Sequence, residues 1–314
     1  MPKVSVIVPV YGVEKYIERC ARSLFEQTLD DIEFIFVDDC TPDKSIEILK
    51  NVLEDYPQRK NQVKIERHEK NMGLPLARQS GLKVASGDYI IHCDSDDWVD
   101  VTMYEKMYNK AIEEGSDVVV CDYMVTDGES TQNIVKACHS EKPFEFLENM
   151  LFQRDPWSLW NKLFKKTAYS KDLIYPKGNM GEDMILCLQL IRNSTKITYI
   201  NESLYYYFFN INSITKSRSR KKIINKFEQS VSNASVLLEI CKKWNIYDKY
   251  RDAINSILLN NKNLIRPLIG ETKYYVIWKN TFPEINIKIL FNKNVSIKYK
   301  IKHILTLLRL YRGE

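Results

Sequence analysis

Residues 87–100 read Gly-Asp-Tyr-Ile-Ile-His-Cys-Asp-Ser-Asp-Asp-Trp-Val-Asp, and this stretch decides the fold. The run from Asp88 to Cys93 is short and mostly apolar, which is typical of a strand buried on both faces of an α/β sheet. Its C-terminal end carries Asp94, Asp96 and Asp97, whose carboxylates repel one another unless a cation or solvent separates them. Open α/β sheets bind ligands at this edge, and hard oxygen ligands suit Mg2+ or Mn2+. The stretch therefore predicts a divalent-cation site at the end of a central strand, with a solvated acidic turn as the alternative.

Strands and helices alternate on both sides of this stretch. The apolar patterns predict strands at Val4–Val10, Ile32–Val37, Val63–Arg67, Asp88–Cys93 and Asp117–Cys121. They predict helices at Val13–Gln27, 43–56, Leu74–Ala85 and Met103–Glu114. This alternation predicts an α/β fold built on a right-handed, mainly parallel, twisted sheet. A nicotinamide enzyme is not expected, because Pro9-Val10-Tyr11-Gly12 stands where the glycine fingerprint of a dinucleotide-binding fold would follow the first strand.

The composition is that of an ordinary protein of one large domain or two smaller ones. The chain has 314 residues, of which 44% are hydrophobic and 28% are charged. Its seven cysteines are scattered and include no C-x-x-C pair, so we expect reduced thiols in a cytosolic protein. Met1-Pro2-Lys3 leads straight into the first strand, and no apolar run approaches the ~20 residues that span a bilayer. Neither a signal peptide nor a membrane-spanning helix is therefore expected.

The net charge of +5 conceals an asymmetry along the chain. Residues 217–314 hold 20 Lys and Arg against 7 Asp and Glu, whereas residues 1–216 hold 26 against 34. The basic region reads as helices without strands, and Ser296 to Arg312 alternates basic with aliphatic residues. Such a segment predicts peripheral contact with a membrane interface, or packing on its own domain or on another subunit of a homo-oligomer. No nucleic acid partner is expected, because no recognised binding motif accompanies the charge.

Five motifs, two of them within residues 87–100, stand in order along the first 125 residues. They are Val4-Ser5-Val6-Ile7-Val8-Pro9-Val10-Tyr11, Val37-Asp38-Asp39, Asn71-x-Gly73-x-x-x-Ala77-Arg78-x-x-Gly81, Gly87-Asp88-Tyr89 and Asp94-Ser95-Asp96-Asp97-Trp98. A sparser set follows, namely Trp160-Asn161-Lys162-Leu163-Phe164, Gly181-Glu182-Asp183 and Tyr205-Tyr206-Tyr207. In order and spacing these motifs resemble those of family 2 glycosyltransferases, which are inverting enzymes of the GT-A fold that use nucleotide-sugar donors. The resemblance implies a GT-A catalytic domain at 1–216, with a nucleotide-binding half (1–125) and an acceptor half (126–216), and a basic helical domain at 217–314.

The resemblance implies a UDP-sugar donor whose nucleotide contacts residues at the C-terminal edge of the sheet. These residues are Pro9, Val10, Tyr11, Asp39, Asn71, Gly73, Arg78, Asp94 and Ser95. The first three would line uracil and ribose, and Asp39 would accept a hydrogen bond from the uracil N3–H. Arg78 would meet the base or the diphosphate, with a surface salt bridge as the alternative. Asp94 and Asp96 resemble the ligands of a divalent cation, Mn2+ or Mg2+, and this cation would bridge to the donor diphosphate. Asp97 resembles a residue that supports these two ligands.

The resemblance also assigns the acceptor side. Asp183 matches the general base that removes the proton of the acceptor hydroxyl, and Glu182 would orient it. Without the resemblance, both acids read as residues that cap the following helix and complement its dipole. Trp98 would form a platform beside the sugar. Trp160 would either stack on a sugar ring or belong to the hydrophobic core.

One departure from the family pattern concerns the charge of the donor. Family members often follow the tyrosine run with a basic residue, whereas Phe208 stands at that position here. Another cation must then meet the diphosphate. The cluster from Lys216 to Lys222 is a candidate, either as a loop that closes over the donor or as a solvated linker.

The resemblance therefore predicts a cytoplasmic, inverting glycosyltransferase that transfers a hexose, galactose or glucose, from a UDP-sugar to a hydroxyl of a glycan acceptor. That acceptor is expected on a lipid-linked polysaccharide precursor or on a protein. Two rival functions remain. A nucleotidyltransferase would carry a Gly-rich, basic loop after the first strand, and this chain has none there. A non-catalytic glycan-binding relative would keep the fold without the transfer reaction.

Overall fold

A computed structural model describes residues 1–129, 132–137, 140–169, 172–209 and 219–310. The chain divides into two compact units. The first comprises residues 1–150, 154–173 and 186–210, and the second comprises residues 151–153, 174–185 and 211–314. Residues 174–185, which lie inside the predicted catalytic domain, thus group with the C-terminal helices.

The first unit is built on a mixed sheet flanked by helices. Its strands are β1 (Val4–Val10), β2 (Ile32–Asp38), β3 (Val63–Arg67), β4 (Tyr89–His92), β5 (Trp98–Val99), β6 (Val118–Thr126), β7 (Gln132–Val135), β8 (Lys162–Lys165) and β9 (Ile197–Phe208). The helices that accompany them are α1 (Ile17–Phe25), α2 (Ser45–Glu54), α3 (Leu74–Val84), α4 (Met103–Glu114) and α5 (Pro143–Leu151). Helix α6 (Glu182–Arg192) is divided, with residues 182–185 in the second unit and residues 186–192 in the first. The strand order is β3-β2-β1-β4-β8-β6-β9-β5, with β7 paired to β6.

The predicted α/β fold is confirmed, and its parallel half is the part that the sequence predicts best. Strands β3, β2, β1 and β4 run parallel to one another, and every residue of β1 and β2 is buried. Beyond β4 the sheet is mixed, because β8 runs antiparallel to both β4 and β6 while β9 runs parallel to β6. The strand predicted at 117–121 continues to Thr126 as β6.

A buried carboxylate ties the parallel strands together at their N-terminal ends. Glu33 of β2 accepts hydrogen bonds from the Ser5 hydroxyl (2.6 Å), from the Ser86 N–H (2.6 Å) and from the Lys64 ammonium (2.7 Å). Burial alone would raise the pKa of Glu33, but these hydrogen bonds outweigh burial and lower it to about 2. Gly87 must be glycine, because a Cβ there would lie 2.7 Å from the Ser5 backbone nitrogen.

The second unit has a hydrophobic core of its own. Its helices are α7 (Arg220–Lys243), α8 (Arg251–Lys262), α9 (Thr272–Asn280), α10 (Ile285–Lys288) and α11 (Ile297–Leu307). Phe227, Ile265 and Trp278 belong to its buried cluster. Lys262 is buried within the unit, where its ammonium donates to the Thr281 carbonyl (2.8 Å). In the described parts of the chain, no helix combines the length and the apolar composition that crossing a bilayer requires.

Residues 177–180 are attached to α7 through one amide side chain. Asn233 donates through Nδ2 to the carbonyls of Gly178 (2.7 Å) and Met180 (2.9 Å). Its Oδ1 accepts the N–H of Lys177 at 3.0 Å. Because Asn233 is fully buried, these bonds are shielded from competition with water. They hold the segment that leads into α6.

Replacing Glu33 by Gln should lower the free energy of unfolding at pH 7 by about 1–3 kcal/mol, because an NH2 donor then replaces the charged oxygen that accepts from the Lys64 ammonium. The folded pKa of about 2 lies below the ordinary value of 4.5. The carboxylate therefore stabilises fully above pH ~4.5, and this contribution falls as the pH drops towards 2. The difference between wild type and Glu33→Gln should shrink over that interval in urea unfolding. Exposed Glu47→Gln is the matched control, and a pH-independent difference would contradict the assignment.

Candidate active site

Three neighbouring parallel strands end at one edge of the sheet and bring the expected nucleotide residues together. β1 and β2 are in register with Val10 opposite Asp38. The pairing continues past the strand ends, since the Asp39 N–H donates to the Val10 carbonyl (3.1 Å) and the Cys93 N–H to the Ile7 carbonyl (3.0 Å). Ligands of open α/β sheets bind at this edge. The acidic residues that follow β2 and β4 therefore lie where a ligand is expected.

The acidic residues after β4 form a closed turn. The Asp97 N–H donates to the Asp94 carbonyl at 3.1 Å, with buried Ser95 inside the turn. The hydroxyl of Tyr205 accepts the Asp94 N–H (3.1 Å) and donates to the Asp97 carboxylate (2.7 Å), whose other oxygen accepts the Phe208 N–H (2.7 Å). Burial, followed by the neighbouring carboxylates, raises the pKa of Asp97 well above its usual range. Asp97 thus anchors the turn to β9.

Arg78 forms a buried ion pair with the first acid of this turn. Its guanidinium donates to Asp94 Oδ1 at 2.9 Å, and the residue is 3% exposed. The alternative of a surface salt bridge is therefore wrong, because Arg78 lies in the interior at the start of α3. A buried pair of this kind fixes geometry, since breaking it would leave an uncompensated charge. It sets the position of the Asp94 carboxylate at the sheet edge.

Asp39 organises the loop that precedes α3. Its Oδ1 accepts the Met72 N–H (2.7 Å) and lies 2.7 Å from His68 Nδ1, while its Oδ2 accepts the Gly73 N–H (2.8 Å). Gly73 has a φ of +87°, a conformation that glycine adopts without strain. Asn71, at the tip of the loop, is exposed. The Asp39 carboxylate therefore shapes the turn that the sequence places next to the nucleotide.

The loop after β1 carries an exposed aromatic ring and leaves the sheet at the same edge as the ends of β2 and β4. Pro9 and Val10 are buried at the end of β1, whereas Tyr11 is 49% exposed. Side chains within residues 41–45 accept hydrogen bonds from the N–H groups of residues 12–14 and hold the loop in place. Among the three residues expected to line the base, Tyr11 thus offers the accessible side chain.

A family model described as "Glycosyl transferase family 2" matches residues 5–174, which is more than half of the chain. The chain belongs to glycosyltransferase family 2. The match covers β1 to β4 and the acidic turn described above, and it confirms the resemblance that the motifs indicate.

Two relatives show how far the similarity extends. The chain is 33% identical over 224 residues to the uncharacterized glycosyltransferase EpsJ of Bacillus subtilis, an alignment that covers 69% of this chain and 64% of EpsJ. It is 27% identical over 317 residues to the cholesterol galactosyltransferase of Borreliella burgdorferi, and this alignment covers 96% of this chain and 83% of that protein. The chain thus spans less than two thirds of the first relative.

A solved structure shares the fold. S. aureus TarS 1–349 in complex with UDP-GlcNAc matches with a TM-score of 0.61 at 18% identity, over 98% of this chain and 88% of that one. At this identity the likeness shows the fold alone. It confirms the GT-A type of α/β fold that the family resemblance implies.

The acidic turn carries carboxylates of the kind that the resemblance expects to hold a divalent cation. Among the described residues no group of three or more His, Cys, Asp or Glu could hold a metal by itself. Mg2+ and Mn2+, however, commonly take one or two carboxylates and complete their coordination with substrate phosphates and water. Asp94 and Asp96 supply such a pair, and burial raises the pKa of Asp96 from its usual value. The residues present fit a cation shared with a diphosphate.

Arg19 places a positive charge beside the acidic turn. Family members often carry a positive charge at the position of Phe208 on β9, which has none here. Its guanidinium lies 4.6 Å from the centre of the Phe208 ring and 3.6 Å from that of Trp98. It also donates to the backbone carbonyl of Asp96 (3.2 Å). Sequence reasoning missed Arg19 because it lies in the helical pattern of α1 as an ordinary polar residue. The only available signal was the aromatic replacement at Phe208.

His68 is a second residue that sequence reasoning missed. It follows β3 directly, and its two ring nitrogens lie 2.7 Å from Asp39 and 2.8 Å from the Ser80 hydroxyl. Histidine therefore joins the Asp39 carboxylate to α3. A single histidine after a short strand carries no pattern that would announce this contact.

Neither tryptophan expected near the acceptor offers a free ring face. Trp98 is stacked on Tyr206 at 5.4 Å, with 7° between the planes, and Arg19 covers it at 3.6 Å. Trp160 is 6% exposed and stacks on Tyr205 at 4.2 Å. The alternative of a core role for Trp160 is the one that the structure supports, because its ring is enclosed by aromatic neighbours. A role for Trp98 beside the sugar stays a prediction.

The two acids expected to act on the acceptor open α6. Glu182 is buried and Asp183 is half-buried in its first turn. Both residues belong to the second compact unit. Of the basic cluster Lys216 to Lys222, residues 216–218 lie outside the described part of the chain, and Arg220 pairs with Glu271 (2.7 Å).

Replacing Tyr205 by Phe should destabilise the first unit by about 1–3 kcal/mol, because the buried Asp97 carboxylate and the Asp94 N–H both lose their partner. Tyr206→Phe removes a hydroxyl from the next residue of the same strand and serves as the control. Its effect should stay within about 0.5 kcal/mol. Urea unfolding of the two variants measures the difference, and equal losses would refute the role of the Tyr205 hydroxyl.

Proposed function

We propose that this chain is an inverting, metal-dependent glycosyltransferase that transfers a hexose from a UDP-sugar to a hydroxyl of a glycan acceptor. The observation that carries the proposal is the closed acidic turn Asp94–Asp97, which follows β4 at the edge of the sheet where the loop with the exposed Tyr11 leaves β1. Membership of glycosyltransferase family 2 supports the reaction class.

The nucleotide is proposed to lie between Tyr11 and the loop that Asp39 shapes. A carboxylate offers about four acceptor positions, and three on Asp39 face His68, Met72 and Gly73. The fourth, on Oδ2, is the proposed acceptor for the uracil N3–H. The Tyr11 ring would stack on the base, and Asn71 would contact the nucleotide from the loop tip.

The diphosphate is proposed to meet the acidic turn. Asp94 and Asp96 would hold Mn2+ or Mg2+. When bound, this cation would stabilise the negative charge on the departing UDP. Arg78 fixes the Asp94 carboxylate through their 2.9 Å ion pair, and the Tyr205 hydroxyl fixes the backbone between Asp94 and Asp97. These contacts preorganise the carboxylates, so that little reorganisation is needed when the donor binds.

The acceptor hydroxyl is proposed to lose its proton to Asp183. Direct inversion needs one base on the sugar face opposite the leaving group. Asp183 is half-buried in the first turn of α6, and the adjacent Glu182, which is 3% exposed, would orient it. Residues 177–180, held by Asn233, set the start of this helix.

Galactose or glucose is the proposed sugar. The relative named cholesterol galactosyltransferase supports galactose, since it matches 96% of this chain. The fold neighbour crystallised with UDP-GlcNAc supports a uridine nucleotide and makes an N-acetylhexosamine the next choice. The proposed acceptor is a glycan on a lipid carrier or on a protein, modified in the cytoplasm.

A panel of nucleotide sugars tests the proposal directly. We expect UDP release from UDP-galactose or UDP-glucose with Mn2+ present, stimulated by acceptor and abolished by EDTA. Exchange of pyrophosphate into the nucleotide would reveal a nucleotidyltransferase instead. The absence of UDP release from every donor, in a protein that still binds glycan, would point to a non-catalytic relative.

Two isosteric variants should separate the donor side from the acceptor side. Asp183→Asn removes the proposed base, so transfer should fall by at least ~100-fold while UDP binding stays unchanged. Asp96→Asn removes a metal ligand, so Mn2+-dependent UDP binding should weaken. Isothermal titration with UDP, with and without Mn2+, and UDP-release assays measure both effects. Wild-type turnover by Asp183→Asn would remove the base assignment, and unchanged binding by Asp96→Asn would remove the metal role.

A further inference from the structure

Helix α11 carries an apolar stripe that faces outward. Ile297, Ile301, Ile304 and Leu308 recur at the spacing that places residues on one side of a helix. Their exposed fractions are 76%, 52%, 39% and 62%. Large exposed apolar patches on a protein surface commonly mark an interaction site.

The opposite side of α11 fixes this orientation. Tyr299 accepts a hydrogen bond from Asn263 at 2.6 Å, and Thr306 accepts one from Arg266 at 2.8 Å. His303, between them, is 1% exposed. The helix cannot rotate to bury its isoleucines without breaking these contacts, so the stripe is a stable feature of the second unit.

Basic residues border the stripe on both sides. At 100° per residue, Lys300 lies on one border and Lys298 on the other. The sequence contains no Asp or Glu from residue 285 to residue 313. The aliphatic surface is therefore framed by positive charge without an acidic counterpart nearby in the chain.

We infer that α11 is a docking surface for an anionic lipid bilayer. The aliphatic side chains would enter the boundary between headgroups and acyl chains, while the lysines extend to the lipid phosphates. A second copy of this chain is a poorer occupant, because two such basic borders would face each other and repel. This inference does not rest on the proposed reaction, and its test uses no sugar nucleotide.

Flotation of the full-length chain with vesicles tests the charge requirement. Vesicles of phosphatidylcholine with about 30% phosphatidylglycerol should bind the protein, and those of phosphatidylcholine alone should bind it at least ~10-fold more weakly. Lys298→Gln/Lys300→Gln should lose about 30-fold in partition onto the anionic vesicles, since each basic side chain is worth roughly fivefold. Failure of the wild type to float with anionic vesicles would overturn the inference.

A second pair of variants tests the apolar stripe. Ile297→Gln/Ile301→Gln should lower partition by more than ~10-fold, whereas Ile112→Gln, at a 56% exposed isoleucine of α4, should leave it unchanged. Thermal unfolding of each variant confirms that the fold is retained. Binding that survives the double substitution would contradict the inference. A second outcome would also contradict it: the wild type dimerises in sedimentation, the double variant is monomeric, and neither binds vesicles. The occupant of the stripe would then be a second copy of the chain.

Discussion

The donor-side geometry depends on the hydroxyl of one buried tyrosine. Tyr205 accepts the Asp94 N–H and donates to the Asp97 carboxylate, so a single oxygen joins both ends of the acidic turn. A carboxylate that is buried beside two others is costly unless donors compensate it. The Tyr205 hydroxyl and the Phe208 N–H provide those donors. With Asp97 held in this way, Asp94 and Asp96 stay at the sheet edge instead of relaxing apart.

Buried carboxylic acids serve different purposes at the two ends of the parallel strands. At the N-terminal ends, Glu33 is surrounded by donors from Ser5, Ser86 and Lys64, which lower its pKa to about 2. At the C-terminal ends, burial raises the pKa of Asp96 above its usual value. A carboxylate saturated by protein donors stabilises the fold, whereas an acid with incomplete compensation is suited to a ligand. Local hydrogen bonding therefore distinguishes a structural acid from a candidate functional one.

The sequence predicts those features that depend on short-range patterns. Strand periodicity locates β1 to β4, and the acids after β4 follow from the rule that ligands bind at strand ends. The features it misses depend on contacts between distant segments. Arg78 is predicted to meet the base or the diphosphate, with a surface salt bridge as the alternative, and no local pattern announces its buried pair with Asp94. Trp98 reads as a sugar platform, yet Tyr206, from a strand more than a hundred residues later in the chain, covers it. No local pattern encodes which face of a ring another segment will occupy.

Counting charges along the sequence treats every cation in residues 217–314 alike, and the structure separates them. Lys262 is buried and donates to the Thr281 carbonyl and to Asn286, so its charge is used within the unit, and burial lowers its pKa to about 7. Lys298 and Lys300 border exposed isoleucines and, among the described residues, form no ion pair. A cation that stabilises no part of its own chain is available to an anion outside it. The position of each charge, and not the regional sum, is therefore what indicates a partner.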